Sequence, residues 1–498
     1  MTNNIQRLAA LFMIGFLAMS GAFLYWQVIQ ASELTSRPDN ARLANERLRE
    51  QRGRILDRNG RELAINVVDK DGYVRRRYTD PSLSQVIGYS SLQFGSTGLE
   101  DSFDKYLSGQ EGAGPWTTLE RRLLHRPVQG NDLMLTIDRD LQAQLDKLLG
   151  DGPSAGAILN PKTGEVLAMV SKPYFDANQL VFDPTADDWQ AEGERVEAYW
   201  RSLNNAADSP LLNRVTQGQF VPGSTFKIVT AAAAIERGQA KLDDHFEFTL
   251  NPPDAKHTAA WHANDYVSCQ NHPEVTSFDL RGAFAYSCNV VFADLALKTG
   301  SQSYLDYARR FGLDSQPPFD VPVAKSHSST RADFFTANER NYALASTGMG
   351  QGELLVTPLQ MALIGSTIAN GGSVPKPMLV SEVRSPNGSV VSKLKPDEWR
   401  RAISPTTAGL VKELMVSAVQ TGYASPAATP GLKVAGKTGT AETGRAGKTH
   451  AWFVSFAPAD DPQIAMAIVK EFGGSGSHEV APLAKTIYET YLLRRGAR

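Results

Sequence analysis

The chain has 498 residues, of which 42% are hydrophobic and 21% charged, and its formal net charge at pH 7 is −2. This composition is ordinary for a globular protein with room for about three domains, and the near-neutral charge argues against a nucleic-acid partner. The two cysteines, Cys269 and Cys288, exclude a disulfide-dense scaffold and have no zinc-type spacing. A single bridge between them is a hypothesis for a domain outside the cytoplasm.

An apolar stretch near the start predicts a membrane anchor. Leu8 to Trp26 carries no charged residue and is long enough to cross about 30 Å of hydrocarbon as a helix. A signal peptide is the alternative, but the apolar core of a signal peptide usually has about 7–15 residues, and this run is longer. No clear A-x-A cleavage site follows the run either. We therefore expect a single-pass protein of the cell membrane. Residues 1–7 would lie in the cytoplasm, residues 8–29 would form an uncleaved span, and the remaining residues would lie outside the cell membrane.

Residues 30–131 predict a small mixed α/β domain. Arg52 to Ala64 has the pattern of two strands joined by a hairpin turn at Asn59-Gly60. Gly98-Leu99-Glu100 then leads into a short helix that continues to Leu107. Because this stretch lacks a grouping of residue types suited to catalysis, we expect it to be a structural pedestal.

Residues 132–498 predict an α+β domain. A strand at Leu133 to Ile137 precedes a helix capped by Asp138, and a hairpin turns at Asn160 to Gly164. A mostly helical middle follows, and the chain then returns to strands at 432–443, 450–457 and 463–470. Strands, then helices, then strands favour one antiparallel sheet flanked by helices over alternating βαβ units.

Ser224 precedes a run of apolar residues that predicts a buried helix, and Lys227 is the anomaly within it. A buried ammonium is costly, and desolvation lowers the pKa of a lysine. Since residues three apart share a helix face, Lys227 is a candidate base for a nucleophilic Ser224. The alternative, open at this point, is a lysine that reaches solvent along a helix edge beside a capping serine.

Two further motifs follow in order. Ser287-Cys288-Asn289 stands between two apolar helical runs, and Lys437-Thr438-Gly439 leads into strand sequence. Each short pattern also occurs elsewhere in the chain, so none is informative alone. In this order and in these contexts, Ser224-x-x-Lys227, Ser287-x-Asn289 and Lys437-Thr438-Gly439 match the three-part signature of penicillin-binding proteins and serine β-lactamases.

The flanking sequence resembles a class B, monofunctional penicillin-binding protein, a D,D-transpeptidase of peptidoglycan synthesis. The resemblance covers almost the whole chain, and its layout is most similar to actinobacterial-type septal members. It implies a transmembrane helix, a dimerisation-like pedestal at 30–131, and a penicillin-binding/β-lactamase-like transpeptidase domain at 132–498, without a cofactor or metal. The family-like stretches are Arg52-Gly53, Asp57 to Gly60, Leu135 to Asp138, Thr163 to Ala168, Asn213-Arg214, Gly350 to Gly352, Thr357 to Gln360 and Ala369 to Gly372.

The resemblance implies a catalytic role for four residues. Ser224 would attack the carbonyl of the penultimate D-Ala in a D-Ala-D-Ala stem peptide, with Lys227 as its base. Ser287 would relay the proton to the leaving amine. Lys437 would place positive charge near Ser287 and the terminal carboxylate of the substrate. An acceptor amine from a second stem peptide would then release Ser224 and close the cross-link.

Other motif residues would bind the substrate. Asn289 would orient its amide, and Thr438 and Thr440 would hydrogen-bond its carboxylate, with Gly439 between them. The oxyanion hole would consist of the backbone amides of Ser224 and Thr440. The edge of the strand that carries these residues would accept an extended peptide as an added strand.

The resemblance also implies partners. Stem peptides and lipid-linked nascent glycan would be the substrates, and β-lactams would acylate the enzyme. A SEDS-family glycosyltransferase and other divisome or elongasome membrane proteins would assemble with it, in cell division or cell shape. His257, His262 and His272 lack the spacing of a helical ligand pair, so we expect loop histidines rather than a metal site.

Two other functions stay open from the sequence. A serine β-lactamase or β-lactam-binding sensor would share the site, but a β-lactamase needs a deacylating water, and a sensor needs more cytoplasmic sequence than precedes Leu8. A non-catalytic divisome scaffold with a vestigial pocket is opposed by the intact three-part motif, although the motif does not exclude it.

Overall fold

A computed structural model of the protein describes residues 2–30, 47–111, 129–247, 269, 277–329 and 340–493. The chain begins with an α-helix, Thr2–Leu24, extended by a π-helical turn, Tyr25–Ile29. Asn4–Ile29 contains an 18-residue window with a mean hydropathy of 2.0, and the rest of the protein buries none of that window. Its length and composition suffice to cross a membrane, and it contains the predicted span of residues 8–29.

A six-stranded sheet forms the first body of the molecule. Its strands, in spatial order, are Val390–Lys393, Val380–Arg384, Asp132–Leu135, Ile55–Leu56, Glu62–Val68 and Val74–Tyr78. Ile55 pairs with Ala64 across the predicted hairpin, and Gly60 takes a positive φ of 80° at its turn. Three short helices and a small hairpin complete this region: Ser84–Ile87, Gly98–Ser102, Asp104–Leu107, and Ser90–Ser91 with Gly95–Ser96.

This sheet joins strands from both sides of the boundary predicted at residue 131. Ile55–Leu56 pairs in parallel with Asp132–Leu135, which in turn pairs antiparallel with Val380–Arg384. The pedestal sheet is therefore completed by later segments of the chain. The division into domains at 30–131 and 132–498 stays a prediction.

The second sheet has the antiparallel arrangement that the sequence predicts. Its five strands, in spatial order, are Ala435–Glu442, Thr449–Ala457, Ile464–Lys470, Ser154–Leu159 and Val166–Lys172. Helix Pro358–Ala369 packs against it, with every residue from Pro358 to Ile368 buried. Asp138 caps helix Arg139–Leu149 as predicted, because its carboxylate accepts hydrogen bonds from the amides of Asp140 and Leu141.

Further helices surround this sheet. They are Trp189–Asn205, Lys227–Glu236, Leu280–Ala285, Asn289–Thr299, Ser301–Arg310, Arg340–Met349, Pro405–Gln420, Gly476–Glu479 and Ala481–Ile487, which continues into the π-helical turn Tyr488–Leu493. Two-stranded pairings join His245–Glu247 to Ser277–Asp279 and Ser373–Pro375 to Glu398–Arg401. Single 3₁₀ turns lie at Pro81–Leu83, Ala177–Leu180, Gly223–Phe226 and Ser425–Ala427.

Candidate active site

Ser224 lies on a 3₁₀ turn, Gly223–Phe226, that continues directly into the α-helix Lys227–Glu236. The α-helix therefore begins at Lys227, three residues after the predicted start. With about three residues per turn in a 3₁₀ helix, Ser224 and Lys227 lie on one side of this segment. Ser224 is half-buried, whereas every residue from Lys227 to Ile235 is buried. The predicted buried helix is confirmed, and Lys227 does not reach solvent.

The amine of Lys227 is enclosed by oxygens from the second motif. Its Nζ lies 2.7 Å from the Ser287 carbonyl oxygen, 3.1 Å from Ser287 Oγ and 2.6 Å from Asn289 Oδ1. An ammonium has three N–H donors for these three acceptors. A neutral amine can instead donate to the two carbonyl-type oxygens and accept a hydrogen bond from the Ser287 hydroxyl. The same cage thus suits both protonation states of Lys227.

Burial and a second lysine favour the neutral form of Lys227. Burial lowers its pKa well below the usual lysine value, and the nearby positive charge of Lys437 lowers it further. The Phe292 ring centroid lies 5.4 Å from Lys227 Nζ on the apolar side of the cage. A lysine whose pKa is lowered in this way more readily provides the lone pair that a general base requires.

The second motif is held in an unusual backbone conformation. Ser287 has φ +58°, a left-handed value that non-glycine residues seldom adopt. It is fixed by hydrogen bonds from the Ser287 amide to Phe284 O and from the Cys288 amide to Ala283 O. Cys288 is also joined by a disulfide to Cys269, with the Cα atoms 4.5 Å apart, so the hypothesised bridge is present. The loop thereby presents both its carbonyl and its hydroxyl to Lys227.

The third motif occupies the first strand of the five-stranded sheet, Ala435–Glu442, which pairs with Thr449–Ala457 along one edge. Lys437 is 1% exposed, and burial lowers its pKa to about 7. Its Nζ donates to the Thr438 carbonyl oxygen at 3.2 Å and lies 5.5 Å from the Phe284 ring centroid. Thr438 is buried, and Thr440 is exposed.

Two glycines let this strand approach the serine turn. A Cβ on Gly439 would lie 2.8 Å from Pro222 O, and one on Gly223 would lie 2.8 Å from Thr440 O. Gly223 also takes φ +56°. The approach is held by Trp452, whose Nε1 donates to the Val221 carbonyl oxygen at 3.0 Å. The backbone of Thr440 therefore lies directly against the turn that carries the nucleophile candidate.

Comparison with known proteins identifies the family. The model of the penicillin binding protein transpeptidase domain matches residues 155–489, and that of the penicillin binding protein A dimerisation domain matches residues 52–133. The chain belongs to the penicillin-binding protein family.

Its relatives include named enzymes and solved acyl-enzymes. "Peptidoglycan D,D-transpeptidase PbpA" of Mycolicibacterium smegmatis is 34% identical, covering 97% of this chain and 98% of that protein. PbpA of Mycobacterium tuberculosis H37Rv is 35% identical, with 94% of both chains covered. The ceftriaxone acyl-enzyme of penicillin-binding protein A from M. tuberculosis has a TM-score of 0.80 at 32% identity, covering 90% of this chain and 100% of that chain. The predicted class B penicillin-binding protein, its fold and its serine D-Ala-D-Ala transpeptidase activity are confirmed.

The sequence did not predict a place in the site for two aromatic residues of this penicillin-binding protein, Phe284 and Phe292. The rings of Phe284 and Phe292 contact one another, with centroids 5.9 Å apart, and each covers the amine of one lysine. They form the apolar wall beside both buried amines. Their sequence context is that of ordinary helical core residues, so the sole available signal was their position beside Ser287.

The structure brings the predicted motifs together in pairs. The Ser287–Asn289 loop binds Lys227, and the strand with Gly439 and Thr440 packs on the Ser224 turn. No group of three or more metal-ligating side chains occurs among the residues that the structure describes. The three histidines considered above, at positions 257, 262 and 272, lie outside that part of the chain.

Proposed function

We propose that Ser224 is the residue acylated by the penultimate D-Ala of a stem peptide in this D,D-transpeptidase. The observation that carries the proposal is the convergence of two motifs on one amine. Lys227 follows Ser224 by three residues, and its Nζ is bound by the oxygens of Ser287 and Asn289 at 2.6–3.1 Å. A base so placed and so desolvated is what a serine nucleophile needs.

The acylation step moves one proton between these groups. Neutral Lys227 takes the proton of Ser224 Oγ as that oxygen attacks the substrate carbonyl carbon. The resulting oxyanion would be bound by the backbone amides of Ser224 and Thr440. The contacts of Gly223 and Gly439 support this, because they bring the strand and the serine turn against each other. When the C–N bond breaks, the proton passes from Lys227 through the Ser287 hydroxyl to the leaving D-Ala amine.

The strand of the third motif would bind the rest of the donor peptide. Asn289 would orient the substrate amide, while Thr438 and Thr440 would hydrogen-bond the terminal carboxylate, supported by the charge of Lys437. Ala435–Glu442 is the end strand of its sheet in the described part of the chain, so an extended peptide could add along its outer edge, beside Gly439. A carboxylate near the Lys437 amine would also favour its protonated form, since opposite charge raises a lysine pKa.

An acceptor amine completes the reaction. It attacks the acyl carbon of the Ser224 ester, a new amide bond forms, and the Ser224 oxygen regains a proton as it leaves. Because the two stem peptides belong to different glycan strands, the product is a cross-link. β-Lactams would acylate the same oxygen.

We place the reaction outside the cell membrane. The helix within Asn4–Ile29 would be a single-pass anchor with residues 1–7 in the cytoplasm. Lipid-linked nascent glycan would be presented at the outer membrane surface by a SEDS-family glycosyltransferase, within an assembly of division or elongation proteins. These partners are proposed from the family resemblance.

Turnover of a defined donor tests the assignment. Full-length protein in detergent is given a synthetic stem peptide ending in D-Ala-D-Ala and an acceptor peptide with a free amine. We expect release of D-Ala together with a cross-linked product, both lost in Ser224→Ala. D-Ala release that persists in Ser224→Ala would overturn the assignment of the nucleophile.

A further inference from the structure

The donor peptide of the proposed reaction would have a fixed direction along the strand Ala435–Glu442. Its terminal carboxylate would lie beside Lys437 and Thr438, and the carbonyl carbon that is attacked would lie at the amide of Thr440. The C-terminal end of the donor is then nearer the beginning of the strand, so the donor runs antiparallel to it. The residue before D-Ala-D-Ala therefore lies past Thr440, beside Glu442.

Glu442 is placed to meet the side chain of that donor residue. Side chains alternate along a strand, so Glu442 lies on the same face as Thr440. Both residues are exposed, whereas Ala441 between them is buried. The Glu442 carboxylate forms no ion pair with any residue that the structure describes. An amine on the substrate could therefore pair with it.

Two cations lie in the hairpin turn that follows Glu442. Arg445 and Lys448 are both exposed, and the Lys448 amide donates to the Arg445 carbonyl oxygen at 3.0 Å, so the two residues are neighbours. Neither has a carboxylate partner in the described part of the chain. Arg445 Cζ lies 5.2 Å and Lys448 Nζ lies 5.6 Å from the centroid of the Phe472 ring. A bound carboxylate would relieve the repulsion between these two positive charges.

The ring that these cations share is held in an unusual backbone conformation. Phe472 has φ +53°, a left-handed value that is rare for a bulky residue, and it is 39% exposed. Its amide donates to His450 Nδ1 at 3.2 Å, and the two rings have centroids 5.2 Å apart. His450 pairs with Ala441, so Phe472 is attached to the end of the strand that would bind the donor. Strained residues of this kind cluster at binding sites.

The end of this strand thus offers one negative and two positive side chains to the same substrate residue. Nearby carboxylates leave the two cations unbalanced: Glu471 is bound by Arg214 Nε at 2.6 Å, and Glu479 forms no ion pair among the described residues. Lys470 adds further positive charge. A substrate side chain that ends in an amine alone would leave the cations without a partner, and a carboxylate alone would leave Glu442 without one.

We propose that this hairpin selects a donor whose residue before D-Ala-D-Ala is a diamino acid with both an amine and a carboxylate at the end of its side chain, such as meso-diaminopimelate. Glu442 would pair with the amine, and Arg445 and Lys448 would bind the carboxylate. Phe472 would contact the methylene groups of the side chain. This selection rests on the proposed function, because that reaction places the donor along the strand.

Three synthetic donors that differ at one residue test the proposal. Each ends in D-Ala-D-Ala, and the residue before it is meso-diaminopimelate, meso-diaminopimelate with its side-chain carboxylate converted to a carboxamide, or L-lysine. With full-length protein in detergent, we expect kcat/KM for D-Ala release to be at least about tenfold higher for the free carboxylate, as expected from one charge-assisted pair. The double variant Arg445→Gln/Lys448→Gln should lose this preference.

Lys147→Gln/Lys395→Gln is the matched control. It removes two exposed positive charges from other parts of the protein, so the preference should remain. Equal turnover of the carboxylate and carboxamide donors by the wild type, or a preference that survives in Arg445→Gln/Lys448→Gln, would overturn the proposal. Benzylpenicillin acylation of every protein shows separately whether Ser224 reacts. If no donor is turned over by protein that benzylpenicillin still acylates, the proposed function and this selection are both wrong.

Discussion

Lys227 Nζ and Asn289 Oδ1 lie 2.6 Å apart, so the candidate base is held by an uncharged amide oxygen rather than by a carboxylate. A carboxylate at this distance would stabilise the ammonium and raise the pKa of Lys227. The neutral partner keeps the amine available as a base. The side-chain oxygen of Asn289 therefore affects the pKa of Lys227 as well as the position of its amine.

Asn289→Asp tests that relationship with almost no change of shape. The acylation rate falls at low pH, and we expect the midpoint of this fall, the acid limb, to shift to a higher pH by about 1–3 units. The rate at pH 7 should therefore decrease. Benzylpenicillin acylation from pH 5 to 9 measures it. Asn160→Asp is the control, since Asn160 Oδ1 accepts from the backbone amides of Lys162 and Thr163 in a turn. An unshifted acid limb in Asn289→Asp would argue against Lys227 as the base.

The lowered lysine pKa values predict a bell-shaped pH dependence. Below the pKa of Lys227, the amine is protonated and cannot take the Ser224 proton, so the acylation rate falls as the pH drops. Above about pH 7, Lys437 of the free enzyme loses its charge and its attraction for the substrate carboxylate. Lys437→Arg keeps the charge and should remove the alkaline limb. An alkaline limb unchanged in Lys437→Arg would contradict this role.

We expect the buried side chain of Lys437 to lower the free energy of unfolding of the protein. Its pKa is about 7 in the folded protein and about 10.4 in the unfolded chain. The buried ammonium therefore lowers the free energy of unfolding by its full amount below pH 7, and this loss becomes smaller as the pH rises toward 10.4. Lys437→Met should raise the free energy of unfolding by about 1–2 kcal/mol at pH 7, with less gain at pH 10, while acylation slows. Chemical denaturation at both pH values measures this; a loss of stability at pH 7 would refute it.

Gly439→Ala should separate the motif strand from the serine turn. The new Cβ would lie 2.8 Å from Pro222 O, a backbone atom that cannot move freely. We expect a loss of about 1–3 kcal/mol in stability and an acylation rate lower by about 10²-fold. Gly409→Ala, in a helix with open space around its new Cβ, should leave acylation unchanged. Equal acylation by both variants would show that the close approach is not required.

Local patterns predicted much of the fold because they act over short stretches. The hairpin at Asn59-Gly60, the Asp138 cap and the strands flanking Asn160 to Gly164 all depend on neighbouring residues. The order of the three motifs, with the family resemblance, is the basis on which the sequence predicts the site residues. Those residue roles remain predictions.

Non-local pairings could not be predicted in the same way. Nothing near Asp132–Leu135 indicates that it pairs with Ile55–Leu56 on one side and Val380–Arg384 on the other. The left-handed φ of Ser287 was equally hidden, since serine does not favour it and distant contacts impose it. The α-helix start was placed too early because a 3₁₀ turn and an α-helix share the same apolar pattern.

Intact mass spectrometry with benzylpenicillin tests the central claim, that Ser224 is the nucleophile of a transpeptidase, most directly. Full-length protein in detergent is incubated for hours, and the modified peptide is then mapped. We predict a single adduct on the peptide that contains Ser224, persistent over the time course and missing from Ser224→Ala. An adduct on another residue, no adduct on folded protein, or an adduct that decays while penicillin is consumed, as in a β-lactamase, would contradict the account.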